Sequence, residues 1–418
     1  MMEKAAESKT RNNPGKILFV SEAVTLAHVA RLVVLASSLA KSRAYEPVLA
    51  VDPRYMGLFE STGVRQREIY SLPTSRFIDA LAKGRPLYDL ATLEAYLEED
   101  LAVIDEEKPD LIIGDFRLSL SVSARLCKVP YLAVSNAYWS PFSRQRYPIP
   151  EHPLISITGV KVAQMLFDIV RPVVFALHTV PMNRLRRRHG LDFLGADLRS
   201  VYTDSDYLLY ADIPGLVQMN RLPAEHLFIG PVFWSPSQNY PDWWDEVVNA
   251  GKPIVYVNLG SSGRGDLLPG IADALSDINV SLVVATAGHS VVFPSRSDVY
   301  IADFLPGEQM AARSNLVICN GGSMTTYQAL AHGVPVLGIA GNLDQHLNMS
   351  AIARLGGGIR MRTDRAEPLE IRASALSLLE DARYKKRAED IQRQIGSISA
   401  ETEFRKITDK VLNRSVSG

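Results

Sequence analysis

Short apolar runs alternate with stretches of helical periodicity along most of the chain. In the first half the runs are KILFV, YEPVLAV, DLIIGD and YLAVS; in the second they are PIVYVNLG, VSLVVATAG, NLVICNGG and VPVLGIAG. Runs apolar on both faces suit buried parallel strands, and their alternation with helices predicts βαβ units. Two such sets predict two doubly wound α/β domains. The stretch from Phe228 to Lys252 between them is rich in Pro, Gly, Asn and Ser, the composition of a connector. The predicted organisation is a polar, unstructured lead over 1–14, an N-terminal domain over 15–235, a linker over 236–252 and a C-terminal domain over 253–398. Ligands of such sheets bind outside the C-terminal strand ends, so the chemistry is expected in strand-to-helix loops facing a shared cleft.

Two loops of the second half carry ligand-binding chemistry. After LVIC come Asn320, Gly321 and Gly322, then a helix starting near Ser323. The glycines allow close approach of backbone, and N–H groups beside the hydroxyls of Ser323, Thr325 and Thr326 suit a phosphate. The same residues also read as a tight turn with Ser323 as N-cap. The next strand ends at Gly341 to Gln345, where the Asp344 carboxylate and the Gln345 amide can bond to neighbouring hydroxyls of a sugar. A sugar carried on a diphosphate would use both loops.

The order of these residues is informative. Phe304-Leu305-Pro306, then NGGSMTTYQAL from Asn320 to Leu330, Gly333-Val334-Pro335, and Asp344-Gln345 with Asn348 resemble the donor-binding motif of family 1 glycosyltransferases. These are UDP-glycosyltransferase-like enzymes of GT-B fold, here of the bacterial macrolide and natural-product type. The resemblance implies two Rossmann-like domains facing across a cleft, an acceptor on the first and a nucleotide-diphosphate sugar on the second. It also implies inverting transfer without a metal, and a C-terminal helix, residues 399–418, crossing back to the first domain. VNLGSSG resembles the family's Gly-Ser loop, which places Gly260 and Ser261 near the phosphates. The implied donor set is Gly260, Ser261, Leu305, Asn320, Gly321, Gly322, Ser323, Thr325, Gln328, Asp344 and Gln345. AHVARLVVLASSLA resembles the family's opening helix, making His28 the general base, and PDLIIGD delivers Asp115 as the carboxylate that orients it. An acceptor hydroxyl needs such a base, with a pKa near neutrality and a fixed tautomer. Read alone, His28 would be a cap or core histidine and Asp115 a helix N-cap.

Five positions depart from the pattern: Ala27, Gly307, Asn320, Met324 and Gln328 replace glycine, glutamine, histidine, glycine and glutamate. Gln328 leaves no unpaired buried charge where a 2′-hydroxyl is missing, so dTDP-sugars are expected to bind at least as well as UDP-sugars. NAYWSPF and MLFDIVRPVVFAL, between Tyr138 and Val180, either wall a partly apolar acceptor or pack internally.

Composition removes other classes. Lys plus Arg total 45 against 46 Asp plus Glu, which leaves no overall field to recruit nucleic acid. Cys127 and Cys319 sit in or beside apolar runs and read as buried thiols, which with the absence of a signal-like apolar start predicts a cytoplasmic protein. The most apolar region, Ile155 to Met182, is broken by Lys161, Asp168, Arg171 and Pro172, so a peripheral membrane contact is the most it predicts. The basic run Asn183 to Gly190 reads as a solvated helix end or as an anionic-membrane contact. Asp204 and Asp206 in TDSDY read as turn carboxylates; no metal is expected, and no cofactor beyond the nucleotide-sugar co-substrate. His289 is a weak candidate for the nucleotide's surroundings. The expected function is hexosyl transfer to a small-molecule hydroxyl. The alternatives are a catalytically silent nucleotide-sugar-binding or partner protein of the same fold and a sugar-nucleotide epimerase; the oligomeric state is not read.

Overall fold

A computed structural model of the chain describes residues 14–236, 239–260, 263–293 and 296–412. Its first sheet has seven strands: β1 Gly15–Ser21, β2 Tyr45–Val51, β3 Arg65–Glu68, β4 Leu111–Asp115, β5 Tyr131–Ser135, β7 Tyr207–Tyr210 and β9 His226–Phe228. Two short strands, β6 Ser143–Arg144 and β8 Gln218–Met219, pair antiparallel beside it. The second sheet has six: β10 Ile254–Asn258, β11 Ser281–Ala285, β12 Val299–Ala302, β13 Leu316–Cys319, β14 Val336–Ala340 and β15 Gly358–Arg362.

Both sheets are parallel throughout, in the orders β3-β2-β1-β4-β5-β7-β9 and β12-β11-β10-β13-β14-β15. β1, β4, β10 and β13 are the strands at which each order reverses, with Ser21 beside Asp115 and Asn258 beside Cys319. The crevice opened by such a reversal is where open α/β sheets take ligands. Both candidate regions therefore lie at switch points: His28 and Asp115 at the first, Gly260 and Asn320 at the second.

The central strands are apolar and fully buried, as Ile17, Phe19, Leu111, Ile113, Val255, Val257, Val317 and Ile318 illustrate. The helix Leu26–Ala40 buries Val29, Leu32, Val33, Leu35, Ala36 and Leu39, one broad face at helical spacing. The C-terminal helix Ala400–Val411 returns to this first unit: Phe404 meets Phe19 at 6.0 Å between ring centres, and the Asp409 carboxylate accepts the Tyr45 hydroxyl. The stretch read as a linker is not wholly open chain, because Trp244–Asn249 forms a short helix that buries Trp244 and Val247.

The apolar segment after Leu154 becomes a helix, Leu154–Arg188, interrupted at Gly159 (φ +74°) and containing Pro172 and Pro181. It packs Ala163, Phe175, Thr179, Met182 and Leu185 inward and leaves Val162, Ile169, Val173 and Leu177 exposed. Internal packing thus accounts for one side of it only. Among the described residues, no helix is long and apolar enough to cross a membrane.

Direct bonds join the two sheets' loops. Tyr327 donates its hydroxyl to Asp212 at 2.8 Å, Trp139 Nε1 donates to Asp344 at 2.8 Å, and Gln328 Nε2 donates to the Trp234 carbonyl at 2.8 Å.

Candidate active site

His28 lies in the first turn of the helix that follows β1, and Asp115 ends the neighbouring β4. Their side chains meet with Nδ1 to Oδ1 at 2.7 Å; Asp115 is 1% exposed and the imidazole 20%. A carboxylate holds the proton on the nitrogen that faces it, which leaves Nε2 with its lone pair. Arg31, one turn on from His28, makes a fork on the same carboxylate, Nε to Oδ2 at 2.8 Å and Nη2 to Oδ1 at 2.9 Å. Burial opposes the charge of Arg31, but Asp115 outweighs it and raises its pKa. Arg31 carries donors only, so it secures Asp115 rather than taking a proton from His28.

The connection continues inward. Arg31 Nη1 donates to Asn136 Oδ1 at 2.7 Å, and Asn136 Nδ2 donates to Asp212 Oδ1 at 3.1 Å. Asp212 accepts the Tyr327 hydroxyl from the helix Ser323–Leu330 of the second unit. A buried polar chain thus runs from the histidine to the candidate phosphate helix. Sequence reading missed Arg31, although its i, i+3 spacing from His28 places both on one helix face. Asn136, Asp212 and Tyr327 carry no pattern that would have joined them before folding.

In the second unit, Asn320 is buried and its Oδ1 accepts from Gly322 N at 3.0 Å. Gly321 has φ +81°, and a Cβ there would meet Met349 Cγ at 2.6 Å, so only glycine fits. Asn348 Nδ2 donates to the Gly321 carbonyl at 2.8 Å and holds the loop from behind. No side chain caps the N-terminus of Ser323–Leu330, and Ser323 and Thr325 lie half-buried in its first turn, which suits an anion. Gly260 (φ +65°) stands across the switch point, 3.4 Å from its would-be Cβ to Asn320 Nδ2, and His289 Nε2 lies 3.3 Å from its carbonyl. Ser261 lies outside the described residues. Leu305 is buried in the core, while the adjacent Phe304 is exposed beside Gly288. Met324 packs against the apolar cluster of the first unit.

Asp344 is half-buried. The oxygen of Gln345 is used by the turn itself: Oε1 accepts from Gly341 N and Asn342 N while Asn342 caps Gln345 N, a capping box that shapes the turn presenting Asp344 and occupies none of the Nε2 donors. Gln328 is buried with its Nε2 on the Trp234 carbonyl, leaving Oε1 close to Gly307.

Aromatic rings link the two sides of the cleft. Phe116, held at φ +59° immediately after Asp115, stacks on His28 with centres 5.1 Å apart and planes at 10°. Tyr202 meets Phe116 edge-on at 5.2 Å and Trp139 at 5.1 Å, and Trp139 bonds to Asp344. Of NAYWSPF, Trp139 joins this ring series, whereas Tyr138 is fully buried. Asp204 and Asp206 are structural: Asp204 pairs with Arg125 and Arg186 at 2.8 and 2.7 Å, and Asp206 accepts from Tyr131 N.

Two facing Rossmann-like units with a sugar-nucleotide motif at the second switch point define a GT-B glycosyltransferase. Residues 271–410 match the erythromycin biosynthesis protein CIII-like C-terminal domain. A PGL/p-HBAD biosynthesis rhamnosyltransferase of Mycobacterium bovis (strain BCG / Pasteur 1173P2) is 47% identical over 373 residues, 89% of this chain and 82% of that protein. A PGL/p-HBAD biosynthesis glycosyltransferase of Mycobacterium tuberculosis (strain ATCC 25177 / H37Ra) is 45% identical over 381 residues, 91% and 89% of the two chains. An inactive PGL/p-HBAD biosynthesis glycosyltransferase of Mycobacterium bovis (strain BCG / Pasteur 1173P2) matches 62% of this chain at 46% identity and 70% of its own length. The spinosyn rhamnosyltransferase SpnG complexed with thymidine diphosphate shares the fold, with TM-score 0.68, 18% identity and coverage of 94% and 100%. The chain belongs to the family of the PGL/p-HBAD biosynthesis glycosyltransferases.

Proposed function

We propose that the enzyme moves a sugar from a dTDP- or UDP-sugar to a hydroxyl of a partly apolar acceptor, with inversion and with His28 as general base. The observation that carries this is the contact of His28 with Asp115 at the first switch point, on a cleft whose other side holds the glycine loops. Nε2 takes the acceptor's proton while the acceptor oxygen attacks the anomeric carbon, and the bond to the nucleoside diphosphate breaks on the opposite face. Asp115 steadies the imidazolium and Arg31 steadies Asp115. The departing diphosphate is received by the N–H groups that open the Ser323 helix, which are fixed in place before charge develops. Asp344 is positioned to accept from sugar hydroxyls once Trp139 yields, and no metal enters the proposed step.

The ring series Phe116, Tyr202 and Trp139 supports an acceptor that is apolar where it meets the protein. The name of the first relative makes a rhamnosyl donor the first to try, and thymidine diphosphate in the SpnG complex favours dTDP as its carrier. The same polar geometry weighs against a silent binding protein, since pure binding requires no base held by a buried carboxylate. His28→Ala with unchanged dTDP affinity but lost transfer would support the reading; full transfer by His28→Ala would sink it.

A further inference from the structure

The helix Leu154–Arg188 has an outer face that the glycosyl-transfer reading does not use. Val162, Leu166, Ile169, Val173 and Leu177 fall within an arc of about 80° at helical spacing, spanning about 22 Å of axis. Ile169, Val173 and Leu177 are 67%, 60% and 59% exposed, too open to be walls of a cleft. Continuing the same arc leads to Arg184 and Arg187, exposed at the helix end, and Lys161 precedes the stripe. None of these three cations has an ion-pair partner among the described residues, whereas Asp168 beside the stripe is paired to Arg146, and Arg188 is paired to Glu94. The face is thus apolar along its middle, cationic at both ends and without a free carboxylate.

We infer that this face lies on an anionic lipid surface, with the helix in the plane of the interface. Apolar side chains enter the boundary between headgroups and acyl chains, and the flanking cations meet lipid phosphates. A second copy is the competing occupant, and charge decides against it. Packing the stripe on itself, parallel or antiparallel, brings Lys161, Arg184 and Arg187 against cations or aliphatic groups and supplies no carboxylate to meet them. A bilayer supplies the missing anions. The placement also has a use: Glu151 N, just ahead of the helix, donates to the Gly341 carbonyl at 2.8 Å, in the turn that presents Asp344. A lipid surface along the helix lies beside the cleft, where an apolar acceptor would arrive.

The test is flotation of the full chain with vesicles of phosphatidylcholine alone and of phosphatidylcholine with phosphatidylglycerol, beside sedimentation of the protein by itself. The wild type is expected to float with the anionic vesicles and to be released by high salt. Ile169→Ser with Val173→Ser, and separately Arg184→Gln with Arg187→Gln, are expected to cut the bound fraction by about tenfold while dTDP affinity stays unchanged. Binding no greater than to neutral vesicles overturns the inference, as does unchanged binding by both double variants. A wild-type dimer that Ile169→Ser with Val173→Ser dissociates assigns the face to a second copy and overturns it too. Transfer to a water-soluble acceptor by either double variant tests the fold and the reaction separately from the lipid contact.

Discussion

Asp212, two residues after β7 of the first sheet, accepts the hydroxyl of Tyr327 from the helix Ser323–Leu330 of the second unit at 2.8 Å. Asp212 is fully buried, burial raises its pKa, and Ala137 N, Tyr327 and Asn136 oppose that rise by bonding to the carboxylate. Because Asn136 also holds Arg31, this one bond ties the helix Ser323–Leu330 to the residues that hold His28.

Tyr327→Phe removes the bond and keeps the ring. It is expected to lower kcat about tenfold with dTDP affinity within about twofold, since the buried acceptor loses a bond worth about 1.5–3 kcal/mol and the His28 geometry loosens. Single-turnover transfer beside calorimetric titration of dTDP separates the two. Unchanged kcat would show that the chain of bonds is structural only.

Arg31 is predicted to matter for both stability and rate. Arg31→Ala leaves Asp115 buried without its cation and is expected to cost about 3–5 kcal/mol in urea unfolding. Arg31→Lys keeps the charge but loses the fork, so a folded enzyme with reduced kcat is expected. His28→Ala should lower kcat by about 10²–10⁴. Adding Asp115→Asn should lower it little further, because the two act as one unit.

Much of this was legible before folding, for a physical reason. Central strands such as LIIGD and LVIC are buried on both faces and show as continuous apolar runs. The edge strand RQRE is half-exposed and polar, and GIRMR alternates, so neither stands out as a buried strand. The glycine loops are visible because backbone geometry restricts residue type there, as at Gly321. The network through Asn136, Asp212 and Tyr327 was not visible, since each polar side chain is ordinary alone and only the domain pairing brings them together. The second part played by Gln345 was hidden for a related reason: an amide in the fourth position of a helix start can serve the capping box through its oxygen and still keep its NH2 group for a ligand.

A pH effect on stability is expected from Glu22. It is fully buried beside Arg117, and burial pushes its pKa up from 4.5 to about 7, against the pull of Arg117. The folded state then holds more protons than the unfolded chain between these values, so stability falls as pH rises through that window. This contribution is complete below pH 4.5 and lost above about 7, and amounts to about 3 kcal/mol at most. Glu22→Gln should flatten urea midpoints measured across the window and raise them at pH 8. An equal slope in the variant would assign the dependence to another group.

Trp139→Phe isolates the second bridge. It frees Asp344 from the indole donor while keeping an aromatic ring against Tyr202. If Asp344 serves the transferred sugar, nucleotide affinity should stay constant, because dTDP lacks the hexose that would reach it. The KM for dTDP-sugar should shift by a factor on the order of 10 to 100, the size of one bond to a charged group. A shift in dTDP affinity of equal size would place Asp344 on the nucleotide instead.

The choice of nucleotide turns on Gln328. Its Nε2 is held by the Trp234 carbonyl at 2.8 Å, so a ribose bound here would find only Oε1, one acceptor for one hydroxyl. A deoxyribose satisfies that acceptor as fully as a ribose does, and a 2′-hydroxyl gains no second partner from this residue. The margin for one unmade neutral hydrogen bond is about 1 kcal/mol, so dTDP is expected to bind at least as tightly as UDP but by less than about tenfold. Gln328→Glu would add the second acceptor a ribose uses, at the cost of facing the Trp234 carbonyl with a carboxylate. It should therefore move preference towards UDP and lower thermal stability together. Calorimetric titration of both nucleotides against both proteins reads this directly: UDP bound tenfold or more tightly by the wild type would refute it, and a variant that loses stability without any change in preference would place Gln328 away from the ribose.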